Sequence, residues 1–147
     1  MIIYFDPNYV FTTDNFIKLI LIILKIRARI PVIMMRETIY GKTSLIRIIS
    51  KLRGNNMETL NIHAGISNKD IINFVNEKKL TKDDNDNNLD KKIYVFLDEI
   101  NTCNSMGLIS EMMCKGNFQK KQLKDNVIFI AACNPYRRYE KKLNKLD

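Results

Sequence analysis

Apolar residues fall into short, uninterrupted runs along the chain. The clearest runs span residues 93–97 and 127–132, and a shorter run spans residues 32–35. Apolar runs of this length without polar alternation are typical of strands that are buried on both faces of a parallel sheet. A fourth strand, at residues 59–62, is predicted from a weaker pattern.

The segment before the first short run has apolar residues at helical spacing. Thr12, Thr13 and Asp14 are residue types that cap helix amino ends. The helix is expected to end near Arg29, because Pro31 disfavours helical geometry in the residue before it. The apolar positions of this helix are Phe16, Leu19, Ile20, Ile23 and Leu24.

Three further helices are predicted between and after the strands. They span residues 42–52, 67–75 and 106–113, and Ser67 with Asp70 forms a capping-box pattern at the start of the second of them. Strands that alternate with helices predict an α/β fold, in which a parallel sheet is flanked by helices on both faces.

Length and composition fit a single globular domain. The chain has 147 residues, of which 46% are hydrophobic and 27% are charged, which excludes a disordered chain. We expect one domain over residues 1–147, with a polar loop or insertion at 78–91, a basic tail at 136–147 and no helical lid. With three cysteines and an apolar segment at 16–35 that charges interrupt, we expect a cytoplasmic setting and no membrane span.

Positive charge is concentrated toward the carboxyl end of the chain. The formal net charge is +8, from 24 Lys and Arg against 16 Asp and Glu, and residues 115–147 carry nine basic and three acidic side chains. Such a segment is either a solvated or subunit-contacting face or a site for a polyanion. Because the sequence has no zinc finger, no RNA-recognition signature and no alternation of aromatic and basic residues, we expect no nucleic-acid partner.

A candidate phosphate-binding loop follows the first short apolar run. Residues 36–43 read Arg-Glu-Thr-Ile-Tyr-Gly-Lys-Thr and match the last three fixed positions of the pattern G-x-x-x-x-G-K-[ST]. In such a loop Gly41 lets the backbone approach the phosphates of ATP, Lys42 reaches the β- and γ-phosphates, and Thr43 holds Mg²⁺. The remaining candidates contribute backbone N–H groups and are Thr38, Ile39 and Tyr40.

Arg36 replaces the first glycine of that pattern. A glycine at this position permits the tight turn that leaves the strand. The bulky arginine would narrow the nucleotide pocket or force a different path of the loop. The alternative to a nucleotide site is a helix that happens to begin with Gly-Lys-Thr.

Two adjacent carboxylates end the most apolar run. Asp98 and Glu99 directly follow residues 93–97, and charges at the end of a buried strand are costly without a cationic partner. In strand–loop ATPases an aspartate at this point holds Mg²⁺, and a following glutamate polarises the attacking water. The pair therefore predicts Asp98 as a metal ligand and Glu99 as the catalytic carboxylate, and the alternative is an acidic pair that caps a helix.

Asn134 follows the last apolar run and is predicted to lie at the same edge of the sheet. Ligands of open α/β sheets bind at this carboxyl edge. We predict that Asn134 is a catalytic residue that orients the attacking water against the γ-phosphate, and the alternative is an ordinary Asn-Pro turn. Three candidate elements at the ends of three predicted strands favour the nucleotide site over the structural alternatives.

These motifs together resemble the AAA+ fold of P-loop ATPases. Residues 97–109, Leu-Asp-Glu-Ile-Asn-Thr-Cys-Asn-Ser-Met-Gly-Leu-Ile, and residues 132–138, Ala-Cys-Asn-Pro-Tyr-Arg-Arg, are similar to one AAA+ unit of mysterin-type giant E3 ubiquitin ligases. Those ligases carry dynein-like tandem AAA+ units. Residues 30–43 and 60–65 fit the same pattern, and the resemblance covers residues 12–138.

The resemblance implies an AAA+ unit that binds ATP and hydrolyses it with Mg²⁺, and neighbouring AAA+ units as partners that supply an arginine to the active site. Family units have glycines where this chain has Arg36 and Ile39, so the alternative is a degenerate structural module without hydrolysis. No RING element is present in this sequence, so we expect a fragment of a motor unit without ubiquitin transfer of its own. A basic ATPase that binds nucleic acid is a third hypothesis, which rests on charge alone.

Overall fold

Four parallel strands form the central sheet of the protein. The computed structural model describes residues 12–35, 42–52, 56–62, 65–82 and 91–134. Within these residues the central sheet has the spatial order β1-β6-β3-β2, and a small antiparallel pair consists of β4 and β5. In chain order the strands are β1 (Val32–Met35), β2 (Asn56–Asn61), β3 (Ile93–Asp98), β4 (Asn117–Phe118), β5 (Lys121–Gln122) and β6 (Val127–Cys133).

The second strand differs from its prediction in length and position. It was expected at 59–62, but it pairs with β3 from Asn56 opposite Ile93 to Asn61 opposite Asp98. The N–H of Ile62 then donates to the Asp98 carbonyl at 2.9 Å. The partner strand sets the length of β2, because the backbone hydrogen bonds of a ladder form regardless of the polar side chains at an edge.

The helices begin close to where capping patterns placed them. They are α1 (Thr13–Arg27), α2 (Lys42–Leu52), α3 (Asn68–Glu77) and α4 (Met106–Ser110). The Thr12 hydroxyl accepts a hydrogen bond from the Asn15 N–H at 3.2 Å. At α3 the predicted capping box is confirmed, because the Asp70 carboxylate accepts from the Ser67 N–H at 2.8 Å while the Ser67 hydroxyl accepts from the Asp70 N–H.

The helix that follows β3 changes its hydrogen-bond pattern partway along. α4 continues directly into a π-helical turn at Glu111–Lys115, which ends at Gly116 with a φ of 64°. This left-handed conformation is accessible to glycine without the steric cost that a Cβ atom brings.

Helices pack on both faces of the sheet, as the sequence predicted. On one face α1 and α2 share a hydrophobic core with Tyr94, Phe96 and Ile130, and on the other face α3, α4 and the π-helical turn share a core with Val95 and Leu97. The side chains of successive residues in β3 therefore enter two different hydrophobic cores. Both cores meet at β3 and β6, the inner strands of the sheet.

The apolar face predicted for α1 is only partly right, because Leu19 is buried and Ile23 is partly buried, but the other three positions are exposed. The helix buries Leu19, Ile22 and Ile26, and it exposes Phe16, Ile20 and Leu24, which the helical spacing had assigned to the core. Because apolar residues lie around most of this helix, their spacing alone does not select the face that packs. Among the described residues no helix is long and apolar enough to cross a bilayer.

Part of the segment expected to be a polar loop or insertion at 78–91 packs against the fold. Leu80 is fully buried, and Thr81 forms an antiparallel bridge with Leu123 next to β5. The polar run at 83–90 and the basic tail at 136–147 lie outside the described residues. The hairpin of β4 and β5 was not predicted, since two-residue strands leave no periodic pattern.

Candidate functional site

The carboxyl ends of three neighbouring strands meet at one edge of the sheet. β6 lies between β1 and β3, with Met35 opposite Cys133 and Leu97 opposite Ala131. Asp98 and Asn134 each come one residue after these paired positions, and adjacent strands are about 4.8 Å apart. The structure therefore brings the predicted residues Asp98, Glu99 and Asn134 to one edge of the sheet.

The end of β3 holds its two carboxylates in a turn of unusual backbone conformation. The Asp98 Oδ1 atom accepts a hydrogen bond from the Glu99 N–H at 3.0 Å, and both residues are half-buried. Glu99 has a φ of 56°, the left-handed region that costs a side-chain-bearing residue about 1 kcal/mol. Fold stability alone does not favour a glutamate in this conformation directly after a buried strand.

The ends of β3 and β6 are joined by the side chain of Asn101. Its Nδ2 donates to the Asn134 carbonyl at 3.0 Å, and its Oδ1 accepts from the Asn134 N–H at 3.1 Å. Both backbone groups of Asn134 are thereby held by the 3₁₀ turn Ile100–Thr102, which directly follows Glu99. The two predicted catalytic residues are fixed relative to each other through one amide side chain.

Thr102 connects the same turn to the end of β2. Its hydroxyl lies 3.1 Å from the carbonyl of Ile62 and 2.9 Å from the carbonyl of Glu99, so one hydrogen is shared between two acceptors. Neither Thr102 nor Asn101 was predicted as a site residue. Their partners are 40 and 33 residues away in the chain, and no local pattern in the sequence indicates such contacts.

The predicted phosphate-binding loop falls largely outside the described residues. This holds for Arg36, Thr38, Ile39, Tyr40 and Gly41, and also for the side chains of Lys42 and Thr43. The backbone of α2 begins at Lys42, as predicted. The strand that precedes the loop, β1, lies directly beside β6, and its last residue, Met35, is opposite Cys133.

The described residues offer oxygen donors to a metal ion without forming a complete cage. Among them no group of three or more His, Cys, Asp or Glu side chains could hold a metal. Mg²⁺ bound with a nucleotide takes one or two carboxylates and completes its shell with phosphate oxygens and water. The single carboxylate of Asp98 at the sheet edge fits that mode of binding.

The chain has relatives along nearly its whole length. Residues 9–137 match the family described as RNF213 AAA domain. Over 145 residues the chain is 36% identical to "E3 ubiquitin-protein ligase rnf213-beta" of Danio rerio, 34% identical to "E3 ubiquitin-protein ligase RNF213" of Homo sapiens and 33% identical to the protein of that name in Mus musculus. Each match covers 94% of this chain, which spans about 3% of the length of those relatives.

Solved structures with the same fold are also found. The P216G mutant of RuvB from Thermotoga maritima aligns with a TM-score of 0.57 over 90% of this chain and 43% of that chain, at 14% sequence identity. An identity this low shows the fold alone. The predicted AAA+ fold of the P-loop class, with a parallel sheet between helices, is confirmed.

Proposed function

The chain belongs to the RNF213 AAA domain family, and on that premise we propose that it binds ATP and hydrolyses it with Mg²⁺ as one unit of a larger array. The observation that carries this proposal is the register of β1, β6 and β3, which gathers the ends of all three strands at one edge. That edge is where nucleotides bind in open α/β sheets.

The proposed roles follow from the order of the elements. Lys42 and the backbone of residues 38–41 would bind the phosphates, and Thr43 with Asp98 would hold Mg²⁺. When bound, Mg²⁺ would neutralise charge on the phosphate oxygens. Glu99 would accept a proton from the attacking water, and Asn134 would orient that water.

The backbone at Glu99 and Asn134 supports these two roles. The bonds from Asn101 hold Asn134 at both its N–H and its carbonyl, and the left-handed conformation of Glu99 ends the extended backbone of β3. Catalytic groups act best when the surrounding structure fixes them before substrate arrives. Asn101 and Thr102 are accordingly positioning residues for the end of β3.

The array is proposed from the relatives. Those proteins are named E3 ubiquitin-protein ligases, and the matched region is about 3% of their length. We propose that this unit acts beside neighbouring AAA+ units, one of which supplies an arginine to the γ-phosphate, in the cytoplasm. Ubiquitin transfer would belong to other parts of such an assembly.

Arg36 and Ile39 favour a second candidate function. Family units have glycines at both positions, and a unit with a blocked loop would serve as a structural spacer that does not hydrolyse ATP. Reverting Arg36→Gly and Ile39→Gly separates the two candidates. A spacer gains nucleotide affinity at least tenfold in the double revertant, whereas a competent loop changes little.

Nucleotide binding is tested by titration of the full chain with a fluorescent ATP analogue, with and without Mg²⁺. We expect Lys42→Ala to weaken binding at least tenfold, because it removes a charge that contacts the phosphates. Lys51→Ala, at an exposed position in the same helix, is the matched control and should bind within about twofold of the parent chain. Equal binding by the two variants would contradict the phosphate-loop assignment.

Hydrolysis is tested with Glu99→Gln in an assembly with neighbouring AAA+ units. General base catalysis typically contributes 10²–10⁴-fold, so we expect ATP turnover to fall at least about 100-fold while ATP affinity is retained. Glu77→Gln, a change of the same type at an exposed position on α3, should leave turnover intact. Unchanged ATP turnover in Glu99→Gln would contradict the catalytic role proposed for Glu99.

A further inference from the structure

A cavity of about 580 Å³ opens at the opposite edge of the sheet. Residues that precede three strands line it, namely Pro31 directly before β1, Lys92 directly before β3 and Lys124 three residues before β6. β6 has seven residues and spans about 20 Å at roughly 3.3 Å per residue. The cavity is therefore separate from the candidate nucleotide site and shares no residue with it.

Positive charge dominates the lining of this cavity. Among the described residues Asp125 is the one acidic residue that lines it, and its carboxylate is ion-paired with Lys82, which lies outside the lining, at 2.8 Å. The hydrogen bond from Lys82 lowers the pKa of Asp125, and the charge of Arg29 lowers it further. Five basic side chains line the cavity, and they are Arg27, Arg29, Lys92, Lys115 and Lys124.

The carboxyl end of α1 also lies at this edge, and its helix dipole disfavours a bound anion. A helix end carries roughly half a negative charge on its unpaired carbonyl groups. Part of that charge is already neutralised here, because the carbonyls of Leu24 and Lys25 accept hydrogen bonds from Ala28 and Ile30 at 3.0 Å each. The five basic side chains therefore outweigh the helix dipole.

Part of the remaining lining is apolar. Met112 and Met113 come from the π-helical turn and Phe129 from β6. Met112 is 2% exposed, so this wall belongs to a hydrophobic core. A concave site of about 300–1,000 Å³ with apolar walls and a few charged groups suits a small molecule rather than a flat macromolecular surface.

We propose that this cavity binds a small organic polyanion, with two or more phosphate, sulfate or carboxylate groups on an apolar body. The anionic groups pair with the exposed side chains of Arg27, Arg29 and Lys115, and the apolar body lies against the partly buried side chains of Met113 and Phe129. The proposal is independent of ATP binding, because the cavity lies at the amino ends of β1, β3 and β6, opposite the candidate nucleotide site.

The probe is naphthalene-1,5-disulfonate, which carries two anionic groups on an apolar ring system. Titration of the ¹⁵N-labelled full chain should give saturable changes in amide shifts centred on residues 27–31 and 112–116. One unit charge at contact distance in water is worth about fivefold in a binding constant. Arg29→Asn with Lys115→Gln should therefore weaken binding at least tenfold, and Lys115→Gln alone about fivefold.

Arg29 has a φ of 56°, and asparagine is chosen there because it tolerates the left-handed conformation. The matched control is Lys51→Gln with Lys69→Gln, which removes two exposed charges outside the cavity and should change affinity less than twofold. Lys42→Ala should retain the probe, which separates this site from the nucleotide site.

Three results would overturn the proposal. The first is an equal loss of affinity for the probe in the cavity variants and the control variants. The second is loss of probe binding in Lys42→Ala, and the third is tighter binding of an Asp- and Glu-rich decapeptide at the same residues. The last result would make the cavity a peptide-docking surface. Sulfate alone should bind at least tenfold more weakly than the disulfonate, and equal affinity would count against the apolar wall.

Discussion

At the scale of single residues, Asn101 decides how the two halves of the candidate site are joined. A side-chain amide offers a donor and an acceptor at once, and here both bond to the backbone of Asn134. An alanine would leave the N–H and the carbonyl of Asn134 to water. The connection between Glu99 and Asn134 would then rest on the sheet alone.

We expect Asn101→Ala to lower the free energy of unfolding by about 1–2 kcal/mol, since each hydrogen bond contributes about 0.5–1.5 kcal/mol net. Urea denaturation measures this loss. Asn104→Ala, an exposed asparagine of the following turn, is the matched control and should cost less than about 0.5 kcal/mol. In an assembled array Asn101→Ala should lower turnover more than ATP affinity, and equal stability of the two variants would contradict the positioning role.

Asp125 connects two segments through its ion pair with Lys82. Because the pKa of Asp125 is lowered by Lys82 and then by Arg29, the pair stabilises the fold above the ordinary carboxyl pKa of 3.8. That contribution is lost as the pH falls through the lower pKa of the folded state.

The stability difference between the parent chain and Asp125→Asn should stay constant from neutral pH to about pH 5. It should shrink below pH 3.8, and urea midpoints measured across this range check it. Asp125→Asn in a Lys82→Gln background is the control. Because Asp125 has lost its partner Lys82 there, the stability difference should be smaller. A difference that grows on acidification would contradict the sign of the pKa shift.

At the scale of elements, α1 shows why periodicity did not select the packed face. Its core residues are Leu19, Ile22 and Ile26, while Phe16, Ile17 and Leu24 are each more than half exposed. Leucine and isoleucine lie on both sides of this helix, so two faces of the sequence are equally apolar. The surface that α2 and β1 present decided between them.

Two isoleucines of α1 provide a matched test of that face. Ile22 is 6% exposed and Ile17 is 53% exposed. We expect Ile22→Ala to cost about 2–4 kcal/mol, as for buried isoleucines in general, and Ile17→Ala to cost less than about 1 kcal/mol. Urea denaturation of both variants measures the difference, and a larger cost for Ile17→Ala would contradict the packed face that the structure shows.

The strands were easier to predict than the helix faces, for a physical reason. Residues 94–97 are buried on both sides of the sheet, so the run is apolar without interruption and is recognised from the sequence alone. β2 is an edge strand with polar residues, and its start at Asn56 is fixed by pairing with β3. Strand positions that depend on a partner leave little trace in the local sequence.

At the scale of the whole molecule, β3 and β6 are the shared centre of the two hydrophobic cores. Each has a parallel neighbour on both sides, whereas β1 and β2 are the two edges of the described sheet. Opening an inner strand breaks two ladders and exposes both cores. The two inner strands should therefore be the most stable part of the fold.

Hydrogen exchange of backbone amides tests that expectation without any substitution. The amides of residues 94–97 and 129–132 should exchange slowest, because their exchange requires global unfolding. The amides of β1 and β2 should exchange faster, because local opening exposes them. Peptide-level mass spectrometry resolves these segments. Slower exchange in β2 than in β3 would contradict the assignment of β2 as an edge.

The sequence by itself determined the fold class, the order of the helices and of the four central strands, and the ends of strands where Asp98, Glu99 and Asn134 stand. Local patterns suffice for these features, because buried strands and helix caps are recognised from a few consecutive residues. Only the tertiary structure decided the packed face of α1, the length of β2, the bonds of Asn101 and Thr102, and the basic cavity at the opposite edge. Each depends on residues far apart in the chain, whose contacts arise when the strands pair and the helices pack.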